Sequence, residues 1–294
     1  DHKKAIEAIQ IIIAWTSDLE EKIAMHVEIA ELYENELDDI DHAANWYAKV
    51  VALAPSRKAL RDHFEDLALR GEAYALIYDV YKPLLDSDQC DAESKVDIHR
   101  VFARVCQKHL DKSEEAMHAW EVCLAADAND TEALDALEIL YDDAAEYSKL
   151  LEVIDRKLEL ATDPDSIMAL AFKRAKILVD QLNNTDMAEV SYLKVLSIDE
   201  NNVDAIRGLK AIYDVTENWT KLADILKKEC DIATSSEERL NTSFELAEIK
   251  RNHLSDLEDA IRIYDEILKE NSSHARTIAV LEQLVREGIQ AARI

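Results

Sequence analysis

Glycine and proline are nearly absent, with three of each in 294 residues, against about 7% and 5% in average proteins. So little turn chemistry leaves no room for many strands, and there is no glycine-rich phosphate loop and no nucleophile elbow. Basic residues are also short: 34 Lys and Arg face 62 Asp and Glu, a formal charge of −28. Nucleic-acid binding, which neutralises phosphates with cations, is therefore not expected, nor is adhesion to an anionic membrane surface. Acidity on this scale supplies solubility and repels acidic partners. No apolar run reaches the ~18 to 20 residues of a membrane span, so membrane insertion is not expected either. The four cysteines, Cys90, Cys106, Cys123 and Cys230, show no C-x-x-C spacing and no Cys/His zinc cluster. They read as reduced thiols, with Cys106 and Cys123 as small core hydrophobes. No signal peptide is visible, and a cytoplasmic location is the expectation.

What is present is helical periodicity, repeated. Apolar residues make up 48% of the chain, enough to exclude disorder. The stretch Asp165 to Ser235 carries Ala175, Leu182, Ala188, Tyr192, Leu209 and Trp219 at spacings that fit four amphipathic helices. Stepping back 72 residues gives Ala103, Leu110, Ala116, Trp120, Leu137 and Tyr147, and a further 73 gives Ala30, Leu37, Ala43, Tyr47, Phe64 and Tyr74. Forward by 72 come Ala247, Leu254, Ala260, Tyr264 and Leu281. A register held over four copies means a solenoid in which each unit buries its apolar face against the next.

The expected units are residues 19–91, 92–163, 164–235 and a truncated 236–294, each of two helix hairpins, preceded by the last helix of a truncated unit at 1–18. That makes about sixteen helices, and the cut ends suggest a segment of a longer chain. In the first unit helices are expected at 20–37, 42–54, 57–70 and 73–87. Ser17 and Asp18 offer an N-cap, and Ser235 with Glu238 matches a capping box. Gly71 and Gly288 share a position where a left-handed helix stop is expected, filled by Ala144 and Thr216 in the middle copies. A further helix is expected near Gln290. Pro55 should end a helix, and Pro83 should kink one or end it early. Gly208 lies inside a helix where other copies have Ala136 and Val280, and close helix packing would explain it.

These residues resemble the tetratricopeptide repeat family. Ala43, Tyr47 and Pro55 carry its spacing of alanine, aromatic four on and proline after. The pairs Ala116–Trp120, Ala188–Tyr192 and Ala260–Tyr264 keep all but the proline. Ala30, Ala103, Ala175 and Ala247 match the small residue at its helix crossing. The second hairpin of each unit lacks the alanine–aromatic pair, as in the divergent, paired-repeat variety of large bacterial proteins of this family. The resemblance implies an all-α, right-handed α-solenoid of antiparallel hairpins. It also implies a concave groove, lined by the first helix of each hairpin, that receives peptides or other proteins.

Candidate sites are few. The nine histidines contain no ligand pair one helical turn apart. His109 and His253 stand where a helix C-terminal dipole favours them. Asp86 to Asp91 lacks the oxygen, glycine and glutamate positions of a calcium loop. No cofactor, metal or catalytic residue is expected, and no enzyme activity. One contrast with the acidic whole remains. Arg100, Arg104 and Lys108 recur every four residues on one helix face, and 165–182 carries a second basic stretch. Together with Phe172, Lys176 and Arg251 they are the candidate groove for an acidic or C-terminal carboxylate peptide, which arginine suits by bidentate hydrogen bonding. The plainer reading pairs these cations with neighbouring carboxylates. The function expected is a protein–protein interaction scaffold within a larger assembly. Alternatives are an architectural spacer or assembly subunit packing laterally through acidic convex faces, or a regulatory region of an enzyme carried on the same chain.

Overall fold

The computed structural model describes residues 2–87 and 89–286, so Gly288 and the helix expected near Gln290 lie outside the described residues. Among these residues there are sixteen α-helices and no strand. The chain divides into two compact units, Asp1–Val153 and Ile154–Ile294.

The first unit holds α1 (His2–Trp15), α2 (Leu19–Glu31), α3 (Ile40–Leu53), α4 (Lys58–Arg70), α5 (Tyr74–Leu85), α6 (Ala92–Lys108), α7 (Ser113–Ala126) and α8 (Thr131–Asp143). α9 (Tyr147–Leu160) starts in it and ends in the second. Consecutive helices pack as hairpins, α2 on α3 and α6 on α7. Each of these helices buries an alanine, Ala30 and Ala43 in the first hairpin and Ala103 and Ala116 in the other, all four fully buried. A side chain without branches lets the backbones approach, and the aromatic one turn on, Tyr47 or Trp120, then fills the space beside the crossing. Cys106 and Cys123 are fully buried, and burial pushes their thiols up to about 12 and about 11. They act as small hydrophobes, as expected, and all four cysteines are free.

The second unit holds α10 (Pro164–Asp180), α11 (Thr185–Ile198), α12 (Val203–Val215), α13 (Trp219–Ile232), α14 (Ser236–Asn252), α15 (Leu257–Glu270) and α16 (Ala275–Arg286). It repeats the plan, with Ala175 and Ala188 on α10 and α11 and Ala247 and Ala260 on α14 and α15 again fully buried. Gly208 has the role expected of it. A Cβ there would lie 2.4 to 2.8 Å from three ring carbons of Tyr192, so the tyrosine lies directly on the α12 backbone.

Helix ends show why the elements start and stop where they do. Asp18, Asp91, Asp163 and Ser235, spaced 73, 72 and 72 residues apart, each cap a first helix by accepting from the backbone N–H three residues on, at 2.8 to 3.1 Å. These helices end in a wide turn. Leu110, Leu182 and Leu254 donate to the carbonyl five residues back, and Asp38, Asp111, Asn183 and Ser255 take positive φ. In the first copy the turn loosens further into a π-helical segment, Leu32–Glu36, which replaces the end of the expected helix 20–37.

The glycine stop needs correction. Gly71 has φ −84°, and the left-handed residue is the next one, Glu72 at φ 54°. Ala145 and Glu217 follow the same rule after Ala144 and Thr216. The sixth-to-first bond that closes the helix, Ala73 N–H to Ala68 O at 2.7 Å, brackets Glu72 rather than Gly71. Gly71 is instead a close approach, since a Cβ would come 3.1 Å from Asp41 Oδ1. Pro83 lies inside α5, which ends two residues later, and α3 stops at Leu53 just before Pro55.

Candidate functional site

α6 is amphipathic because Ile98, Phe102, Val105 and Cys106 recur at helical spacing and are buried. That stripe fixes the opposite face, which carries Arg100, Arg104 and Lys108. Arg104 grips Glu132 of α8 with both prongs of its guanidinium, Nε to Oε1 and Nη2 to Oε2, each 2.5 Å. Arg100 Nη1 stands 2.7 Å from Oδ2 of Asp130, the residue that caps α8, and 3.5 Å from Glu132. The hydrogen bonds from Arg104 hold the Glu132 carboxyl below its ordinary range. Lys108, one turn on, is exposed and meets no carboxylate among the described residues. The face is thus two ordered, charge-compensated arginines followed by one free cation.

In the second unit the structure places the remaining candidates on two helices. Phe172 is half-buried and packs edge-on to Tyr192, with centroids 5.7 Å apart, so it belongs to the hairpin's packing. Lys176 is exposed and has no ion-pair partner among the described residues. Arg174, on the same helix, is spent on Asp155 at 2.5 Å and Ser191 at 2.6 Å. Arg251 donates to Glu248 at 2.8 Å and to Asn252 at 3.1 Å. His109 and His253 are the C-caps of α6 and α14. They also stack on Tyr74 and Trp219, with ring centroids 3.7 and 3.8 Å apart.

Two polar triads were not anticipated. Glu121 Oε1 accepts from the Tyr141 hydroxyl at 2.8 Å and from Lys149 Nζ at 2.9 Å. Glu189 Oε1 does the same for Tyr213 at 2.9 Å and Lys221 at 2.6 Å. Burial and the adjoining carboxylate push both tyrosine hydroxyls well above their usual range. The tyrosines and lysines are 72 residues apart and so repeat-equivalent, but the glutamates are 68 apart. The carboxylate has moved one helical turn, which hides the correspondence from a search at fixed spacing.

Among the described residues no group of three or more His, Cys, Asp or Glu is placed to hold a metal ion, and no helix is long and apolar enough to cross a membrane. Stacked hairpins that present charged faces define a helical-repeat protein. Residues 133–167 match the tetratricopeptide repeat family model, and the chain is a divergent, tetratricopeptide-like all-α repeat. No curated protein matches it. Solved structures similar to it include a tetratricopeptide repeat protein from Parabacteroides merdae, 14% identical over 88% of this chain and 97% of that one, with TM-score 0.39. MamA from Desulfovibrio magneticus is 18% identical over 61% and 97%, TM-score 0.35. YrrB, described as having an unusual peptide-binding site, is 18% identical over 80% and 97%, TM-score 0.30.

Proposed function

We propose that the chain is a protein-interaction scaffold built from four units of about 72 residues, taking acidic or C-terminal carboxylate peptides on the cationic face of α6. Lys108 on α6, an exposed cation with no carboxylate partner among the described residues in a chain of formal charge −28, carries this reading. Arg100 and Arg104 are already held in place by Asp130 and Glu132, so they frame the ligand while Lys108 supplies uncompensated charge. Binding of this kind needs neither cofactor nor catalysis. Their neutralisation is also the observation that favours a second reading, an architectural spacer with no peptide on this face. A display library of random C-terminal peptides separates the two. The scaffold reading expects Asp- and Glu-rich sequences that lose affinity to Lys108→Glu and on amidation of their C-terminus. Equal selection by wild type and Lys108→Glu supports the spacer.

A further inference from the structure

Arg104 on the α6 face already holds a carboxylate, and that carboxylate belongs to the chain itself. Glu132 meets it with both oxygens, the paired-bond geometry that a guanidinium also offers to a peptide C-terminus. Arg100 Nη1 stands 3.5 Å from the same carboxylate. The neighbouring pair is built differently. The Asp130 side chain is 6% exposed; one oxygen faces Arg100 at 2.7 Å, and the other caps α8 by accepting from the Ala133 N–H at 3.1 Å. Glu132 caps nothing, and its side chain is 39% exposed against 43% for Arg104.

The other copies show that the fold does not need Glu132. The equivalent positions are Ala59 in α4, Asp204 in α12 and Arg276 in α16. Asp204 is the informative one, because its copy has Lys176 in place of Arg104, and the two form no ion pair among the described residues. The cation at this place is therefore open on α10 and closed on α6.

An exposed ion pair contributes little, since solvent screening and side-chain entropy offset most of its attraction. Glu132 can leave Arg104 at small cost and remain hydrated. Asp130, almost wholly enclosed, cannot leave Arg100 without stranding a buried charge, so that arginine stays fixed. Two nearby carboxylates are committed elsewhere: Glu65 on α4 accepts from the Tyr81 hydroxyl, and Asp97 pairs with Arg61 and Lys58. With Glu132 seated, the row from Arg100 to Lys108 offers one uncompensated cation, Lys108. With Glu132 swung away it offers two, Arg104 and Lys108, one turn apart. We propose that Glu132 is an internal competitor for the peptide site, and that an acidic peptide binds by displacing it from Arg104 with its own terminal carboxylate. This inference rests on the reading of α6 as a peptide-binding face. It adds a source of specificity, because a neutral ligand cannot replace the charge and the two bonds that Glu132 gives up.

The test pans a library of C-terminal peptides on the wild-type chain and on Glu132→Gln, and measures the selected peptide by fluorescence anisotropy with its C-terminus free and amidated. Glu132→Gln should bind the free peptide about two- to five-fold more tightly, the worth of an exposed ion pair. The gain should vanish when the peptide is amidated, and also when Arg104→Gln/Glu132→Gln is compared with Arg104→Gln. It should persist in the Lys108→Glu background. Asp143→Asn, which removes an exposed carboxylate about three turns along α8, should leave affinity unchanged. Wild-type binding that Lys108→Glu weakens but Glu132→Gln does not strengthen would overturn the exchange and leave the α6 site standing. So would a gain that survives amidation or the loss of Arg104, or that Asp143→Asn matches, since general repulsion by the acidic chain would then explain it. Selection of no peptide by either chain would overturn this inference together with the reading it rests on.

Discussion

Replacing Gly208 with alanine should destabilise the second unit, although helix propensity alone predicts the opposite. In an exposed helix interior the change from glycine to alanine gains about 1 kcal/mol. Here the new methyl would sit 2.4, 2.6 and 2.8 Å from three ring carbons of Tyr192, roughly 1 Å inside ordinary carbon–carbon contact. The ring is 6% exposed and braced edge-on by Phe172, with centroids 5.7 Å apart. Relief therefore requires α11 and α12 to move apart. Overpacking of this kind costs about 1–3 kcal/mol, occasionally more; with the ring braced the cost falls in the upper part of that range, and after the propensity gain the net loss is up to about 2 kcal/mol. Urea denaturation followed by far-ultraviolet circular dichroism measures it, and Gly208→Ala/Tyr192→Leu should recover part of the loss by removing the ring. An increase in stability of about 1 kcal/mol for Gly208→Ala would show that propensity governs this position and that the close packing is not a constraint.

Ala145→Gly should stabilise the first unit by about 0.5 kcal/mol, because relief of a left-handed φ of 56° exceeds the added freedom of the unfolded chain; an unchanged urea midpoint would refute this. His99 is 9% exposed with no partner for Nδ1, and burial, then the charges of His118, Lys95 and Lys82, lowers its pKa from 6.5 to about 4. The unfolded chain then binds a proton that the folded chain refuses, so the stability present above pH 6.5 is lost as pH falls toward 4. The loss approaches about 3 kcal/mol, and His99→Gln should flatten the slope in denaturation titrations between those pH values. Arg61, 2% exposed, donates to Pro55 O at 2.5 Å, to Ser94 Oγ at 3.2 Å and to Asp97 at 3.1 Å. Arg61→Ala should cost about 3 kcal/mol by emptying a buried site and removing the donor to the buried Pro55 carbonyl, while Asp97 keeps Lys58 and Ser94 keeps Asp91, with the thermal midpoint as readout.

Periodicity made the helices legible because each has one apolar stripe to bury, and the alanine crossings were legible because nothing larger fits them. Helix ends were less so. Gly71 drew attention as a stop, yet the left-handed turn lies at Glu72, since a hydrogen-bond ring and not residue type places it. The π-helical end of α2 left no mark in the sequence. For the candidate site, the α6 face was readable from a four-residue spacing within one helix. That its cations would be paired was the plainer reading, but the partner was not readable, because Glu132 lies 28 residues beyond Arg104 on another helix. The triads escaped for a related reason: a carboxylate can move one turn along its helix and still reach the same tyrosine and lysine.

Hydrogen exchange on the chain, with and without an acidic peptide selected through its free C-terminus, tests the central claim most directly. Added protection is expected on α6 around Arg100 to Lys108, reduced in Lys108→Glu. Protection confined to helices away from α6, or identical in the variant, would contradict it.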